Sequence, residues 1–151
     1  MVPKGKNMEI NKMEQSDLEQ IKDCLTSDFD AFWTYDVLKD ELSYSNSKYI
    51  VAKTSNNTIV GFAGIKIILD EAEIMNIVTK KSNRGKGIAS LMLKHIISNC
   101  KNNNIKIINL EVNCQNTIAI NLYKKYNFKE VGLRKKYYNN TYDAILMSLT
   151  L

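Results

Sequence analysis

The chain has 151 residues, 44% of them hydrophobic and 25% charged, with a formal charge of +5. That is enough apolar chain for one packed core, which excludes a disordered segment, and the basic balance suits anionic partners. Cys24, Cys100 and Cys114 form no Cys-x-x-Cys pair and His95 is the sole histidine, so a disulfide scaffold and a metal site are both excluded as expectations.

In chain order, residues 1–12 are polar and charged, unlike a signal peptide, and residues 1–8 read as a poorly ordered extension of a single domain spanning 1–151. No apolar run reaches the roughly 20 residues that a membrane helix needs. A cytoplasmic protein without membrane or direct nucleic-acid contact is the expectation. Ser16-Asp17-Leu18-Glu19 reads as a capping box opening a helix to about Leu25. Thr34 caps a second helix through Glu41, with Phe32 and Trp33 between the two. Residues 48–53 read as a strand, Asn56-Asn57 as the turn after it, and residues 58–69 and 72–79 as two buried strands. In the last of these, alternation places Glu73, Met75 and Ile77 on one face and Ile74, Asn76 and Val78 on the other. Ile88, Leu91, Met92 and Ile96 recur at helical spacing, giving a helix from Gly87 to about Asn102. A strand over 105–112, a helix over 116–126 and closing strands over 128–134 and 142–149 complete a mixed α/β domain around one central sheet.

Chemistry concentrates where the strand ending in Ile77-Val78-Thr79 runs through Arg84-Gly85-Lys86-Gly87 into the helix beginning Ile88. Glycines let backbone approach a ligand closely, and the first free N–H groups of the helix favour an anion. Such a turn suits a phosphate, although two glycines are equally compatible with an ordinary strand-to-helix connection. The spacing is not that of a P-loop, and Ser90 stands where a dinucleotide fingerprint needs its third glycine.

Ser82-x-x-Gly85-x-Gly87 resembles the Gln/Arg-x-x-Gly-x-Gly/Ala signature of the GNAT N-acetyltransferase superfamily. Asn116-x-x-Ala119-x-x-x-Tyr123-x-x-x-Asn127-Phe128 resembles that superfamily's second element, with Asn127 in place of Gly as a left-handed cap. Leu110-Glu111-Val112-Asn113, the run Arg134 to Tyr138 and Asp143-Ala144-Ile145-Leu146-Met147 are similar to the bacterial ribosomal-protein alanine N-acetyltransferases, as are Leu69-Asp70-Glu71-Ala72 and Asn76-Ile77. The resemblance covers residues 9–149. It implies a GNAT fold: a mixed, mostly antiparallel sheet whose fourth and fifth strands splay apart, flanked by about four helices, with acetyl-CoA in the cleft.

The resemblance further implies a monomeric enzyme that acetylates a protein N-terminus, in the family usually the alanine of small-subunit ribosomal protein eighteen, by direct attack in a ternary complex. Glu111 is the expected base, with Glu73 its competitor, and Tyr123 the expected acid for the leaving thiolate. Backbone of Ile77, Val78 and Thr79 is expected to pair with the pantetheine arm, and the amides of Arg84, Gly85, Lys86, Gly87 and Ile88 to hold the pyrophosphate. Asn116 serves as helix cap, as cofactor contact, or as both. Phe32, Trp33, Asn76, Tyr137 and Tyr138 are the expected acceptor contacts. Rival readings are a polyamine or aminoglycoside acetyltransferase and a non-catalytic acetyl-CoA-binding module.

Overall fold

The computed structural model describes residues 8–138 and 141–151, the side chain of Tyr138 excepted. The extension expected over residues 1–8 therefore lies, Met8 apart, outside the described residues. Seven strands form one sheet: β1 (Glu9–Lys12), β2 (Ser47–Lys53), β3 (Ile59–Ile68), β4 (Glu71–Thr79), β5 (Ile107–Asn113), β6 (Lys129–Tyr138) and β7 (Tyr142–Thr150), in the order β1-β2-β3-β4-β5-β7-β6. Four α-helices flank it: α1 (Gln15–Ile21), α2 (Tyr35–Ser43), α3 (Ile88–Asn102) and α4 (Thr117–Lys125). All neighbouring strands are antiparallel except β4 and β5, which run parallel.

That parallel junction decides the architecture. β4 and β5 are in register only from Glu71↔Ile107 to Glu73↔Asn109; beyond it each strand continues, but the two no longer pair. The expected splay is present. A side-chain ladder stitches its base: the Ser148 hydroxyl donates to Asn109 Oδ1, and Asn109 Nδ2 donates to Glu71 Oε1 at 3.1 Å. Three strands are thus tied together where the opening begins.

Apolar residues sort onto the two faces of the sheet. Ile108, Leu110 and Val112 of β5 pack with Ile88, Met92, Leu93 and Ile96 of α3 and Ile120 and Tyr123 of α4. Tyr49, Val51 and Phe62 pack with Leu18, Ile21, Phe29 and Leu38 on the side of α1 and α2. Ion pairs hold both of the latter helices down: Lys53 to Asp17 at 2.8 Å, and Lys66 to Glu41 at 3.2 Å. Asp17 and Glu41 are buried, so removing either lysine would leave an uncompensated charge inside.

Three local expectations need correcting. The capping box of α1 is Glu14 with Asp17, Glu14 N–H donating to Asp17 Oδ2 at 2.8 Å, not Ser16 with Glu19. Asp17 is drawn inward by Lys53, and Glu19 is occupied by Gln15 and Tyr35. The helix also ends at Ile21 and tightens into a 3₁₀ turn over Lys22–Cys24 instead of continuing to Leu25. Second, Glu9–Lys12 is an edge strand, invisible as a pattern because it is short and polar. Third, the alternation along β4 breaks. Gly64 pairs with Asn76 and Ile65 with Ile74, so Met75 is a bulge. Ile74 and Ile77 face the α3 side, whereas Asn76 contacts Tyr49 and Val78 packs on the α1 side.

Candidate active site

The loop between β4 and α3 has the backbone its glycines promise. Gly85 and Gly87 both have positive φ, 78° and 82°, in the left-handed region that disfavours a side chain. Gly87 is the N-cap of α3 and no side chain caps the helix, so its first amides are left to another partner. A Cβ placed on Gly85 would meet no atom within 4 Å. The site is therefore open in front of uncapped amides, which fits a phosphate-bearing ligand. Lys86 is exposed beside it, while Ile88 is buried and anchors the helix.

The Arg84 side chain turns back onto the protein. Its Nε donates to Thr79 O at 3.2 Å and its Nη2 to Phe29 O at 3.4 Å. Together with Lys81 N–H on Asp28 O at 2.7 Å, it ties the loop to the end of the α1 region. The guanidinium is a brace for the loop. Ser82, where the family signature has Gln or Arg, donates to the neighbouring Asn83 Oδ1 at 3.1 Å. Ile77, Val78 and Thr79 pair with β3 on one edge, and their other edge lies past the last pairing with β5.

The second element is built by helix capping. Asn116 Oδ1 accepts from Ala119 N–H at 3.2 Å and so caps α4. At the other end Asn127 has φ 71°, Phe128 N–H donates to Tyr123 O at 3.0 Å, and Asn127 N–H to Lys124 O at 3.0 Å. This is a Schellman motif, and its characteristic apolar contact is the Tyr123 ring on Phe128, with centroids 5.7 Å apart. Tyr123 is consequently held, buried, on the α3–α4 side of the sheet.

Glu111 lies between Leu110 and Val112 on β5, so its side chain points to the opposite face from theirs. Its Oε1 accepts from Arg134 Nη2 at 2.7 Å, and the Arg134 guanidinium also sits 4.9 Å from the centre of the Tyr137 ring. Glu111 lines a cavity of about 270 Å³ with Glu73, Asn109, Val131, Leu146 and Ser148. Glu73 stands opposite Lys66 in register, yet that lysine is taken by Glu41, and Glu73 has no ion pair among the described residues. Both candidate bases therefore open onto one cavity, Glu111 braced by an arginine and Glu73 unbraced. A larger groove of about 690 Å³, beside the start of β2 and the second half of α3, contains none of the expected site residues.

The expected acceptor contacts divide. Phe32 is 84% exposed, whereas Trp33 packs against the core under α1 and α2. Tyr137 is half-exposed beneath Arg134; the Tyr138 side chain lies outside the described residues. Asn76 is buried, and its Nδ2 donates to the Tyr49 hydroxyl at 3.0 Å. Burial pushes the Tyr49 phenol well above its ordinary range, the bond from Asn76 offsetting part of that rise. Asp143, read from sequence as belonging to the closing hairpin, accepts from Lys136 N–H at 2.8 Å where Lys136 adopts φ 52°. Sequence reasoning missed Arg134 as the partner of Glu111, Tyr49 as the partner of Asn76, and the Ser148–Asn109–Glu71 ladder. The only available signal for them is register, which no local pattern carries.

Residues 16–128 match the Acetyltransferase (GNAT) family. The chain is 33% identical over 131 residues to the ribosomal protein bS18-alanine N-acetyltransferase of Haemophilus influenzae, covering 85% of this chain and 86% of that one. Among solved structures, the ribosomal-protein-S18-alanine N-acetyltransferase from Escherichia coli superposes with a TM-score of 0.86 at 25% identity, over 95% of this chain and 93% of that one. Ard1 from Thermoplasma volcanium shares the fold, with a TM-score of 0.85 at 22% identity over 96% and 98% of the two chains.

Proposed function

The chain belongs to the GNAT acetyltransferase family and is an acetyl-CoA-dependent N-acetyltransferase, and from that premise we infer that its acceptor is the N-terminal α-amine of a protein, with the N-terminal alanine of ribosomal protein bS18 as the substrate. It works in the cytoplasm, as a monomer.

One observation supports the mechanism: Glu111 and Tyr123 stand on opposite faces of the sheet, and Glu111 lies on β5, the strand that parts from β4. An amine arriving from the Glu111 side can attack a thioester carbonyl lying in the opening, while the sulfur leaves toward Tyr123. The α-ammonium has a pKa of about 7.7–8.0, so a carboxylate, directly or through one water, suffices to take its proton. The new C–N bond forms as the nitrogen attacks. The backbone edge at Ile77, Val78 and Thr79, unpaired with β5, supplies N–H groups to the developing oxyanion. The C–S bond then breaks and Tyr123 donates the proton that the thiolate takes. Acetyl-CoA supplies the activated acyl group; the amides of Lys86, Gly87 and Ile88 hold its pyrophosphate, the Arg84 amide being engaged by Lys81 O at 3.3 Å, and Asn116 stays primarily the cap of α4.

A second reading has its own support. Glu73 and Glu111 face one cavity, an arrangement that also suits a polyamine. A single assay separates the two: acetyl transfer to peptides beginning Ala, Ser or Met, to an N-terminally blocked peptide, and to spermidine. Transfer to free N-termini is expected; transfer to spermidine or lysine side chains alone would overturn the assignment. Glu111→Gln and Tyr123→Phe should each lower kcat by about 100-fold or more, in keeping with the usual worth of general acid–base catalysis. Undiminished turnover in both variants between pH 6 and 9 would remove this mechanism and leave the fold intact.

A further inference from the structure

Tyr49 on β2, Gly64 on β3 and Asn76 on β4 are successive register partners, so they lie in one row across three strands. An ideal Cβ on Gly64 would fall 2.1 Å from Tyr49 Cζ. The ring thus lies over the backbone of β3 along a path that only glycine leaves open. By crossing β3 this way the hydroxyl reaches Asn76, whose Nδ2 donates to it at 3.0 Å. Both side chains are buried, and burial keeps the phenol neutral.

Packing alone does not call for this arrangement. Replacing both partners of a buried hydrogen bond by apolar groups of the same shape is often nearly neutral for stability, so Phe and Leu would fill the same space. What the bond adds is direction. With Nδ2 held by Tyr49, the planar amide of Asn76 has its Oδ1 turned away from that ring. Asn76 directly follows the Met75 bulge, past the last pairing of β4 with β5, and the bulge is what brings it to the face shared with Glu111. Each element of the row therefore serves one end, the orientation of a polar group beside the opened strands.

We propose that Tyr49 is a positioning residue for acetyl transfer, acting through Asn76: its hydroxyl fixes the Asn76 amide so that Oδ1 receives an N–H of the acceptor, and Gly64 is the clearance that permits it. The inference rests on the reading of Asn76 as an acceptor contact. Tyr49→Phe retains the ring and removes the bond. It should raise the acceptor-peptide KM about three- to tenfold, the worth of one hydrogen bond, while the acetyl-CoA KM stays unchanged. Gly64→Ala, which displaces the ring by a different route, should give the same KM signature.

The decisive measurement is a double-mutant cycle. In an Asn76→Ala background, Tyr49→Phe should have no further effect on acceptor KM, because its action passes through the missing amide. Additive effects, or a Tyr49→Phe enzyme with a lowered Tm and an unaltered acceptor KM, would overturn the proposal. If the unaltered enzyme acetylates only small amines, the N-terminal reading fails by itself; the same cycle run on that amine then tests the positioning role separately.

Discussion

Glu111 and Arg134 meet at 2.7 Å, and Arg134 in turn covers the Tyr137 ring, so one guanidinium links the proposed base to an expected acceptor contact on β6. Arg134 is more than half exposed, and such pairs are worth about 1 kcal/mol or less in stability. Its value is therefore geometric: it limits the rotation of a carboxylate which, as the proposed base, has to stand within hydrogen-bonding reach of the amine. Arg134→Gln should lower kcat/KM on an N-terminal peptide about tenfold, since misplaced catalytic groups cost up to about 100-fold, and should barely move the melting temperature. Arg134→Lys should recover only part of the loss, because an ammonium lacks the planar fork. Steady-state kinetics and thermal melts on the two variants check both statements. Glu111 and Tyr123 are legible in sequence through the resemblance to the family's elements, Glu73 staying a rival to Glu111 on residue pattern alone. Arg134 is legible only as one residue of a basic run, because what it bonds depends on how β6 lies beside β7 and β7 beside β5.

At the scale of elements, β4, the glycine loop and α3 form the unit proposed to receive acetyl-CoA. Gly87 is at once a left-handed residue and the N-cap of α3, so a side chain there strains the turn that presents the amides. Gly87→Ala should raise the acetyl-CoA KM and cost about 1 kcal/mol or more of stability, as non-glycine residues at positive φ do, with the peptide KM little changed. Isothermal titration with acetyl-CoA and a peptide KM measured at saturating acetyl-CoA separate the two effects. Most elements were readable one by one. The Thr34 cap is present, its hydroxyl accepting from Val37 N–H at 3.3 Å, as are the Asn116 cap and the left-handed Asn127. What local pattern misread is where tertiary partners compete. Lys53 takes Asp17 and relocates the capping box, and the Met75 bulge reverses the faces of β4 after Ile74.

Across the whole molecule, the buried Tyr49, partner of the proposed acceptor contact Asn76, bears on stability at high pH. Its phenol is pushed up by burial, so folding favours the protonated form. The sign follows from linkage: the contribution is whole below the unfolded tyrosine pKa of about 10 and is lost as pH rises through the folded value. Thermal stability should therefore fall as pH is raised from 9 to 11, and fall less steeply in Tyr49→Phe; parallel melts of the two proteins read the difference.

The chain by itself determined the order of the elements after β1, the left-handed glycine loop at Gly85 and Gly87 and the caps of α4, because hydrophobic period, capping and glycine chemistry act over a few neighbouring residues; Glu111 and Tyr123 came only with the resemblance to the family. Tertiary structure alone decided where β4 and β5 part, and that Glu111 and Tyr123 lie on opposite faces of the sheet. It also decided that Arg84 braces the loop, that Arg134 holds Glu111, and that Tyr49 crosses Gly64 to reach Asn76. Those outcomes depend on register between strands distant in sequence, and a single bulge changes which face a residue meets.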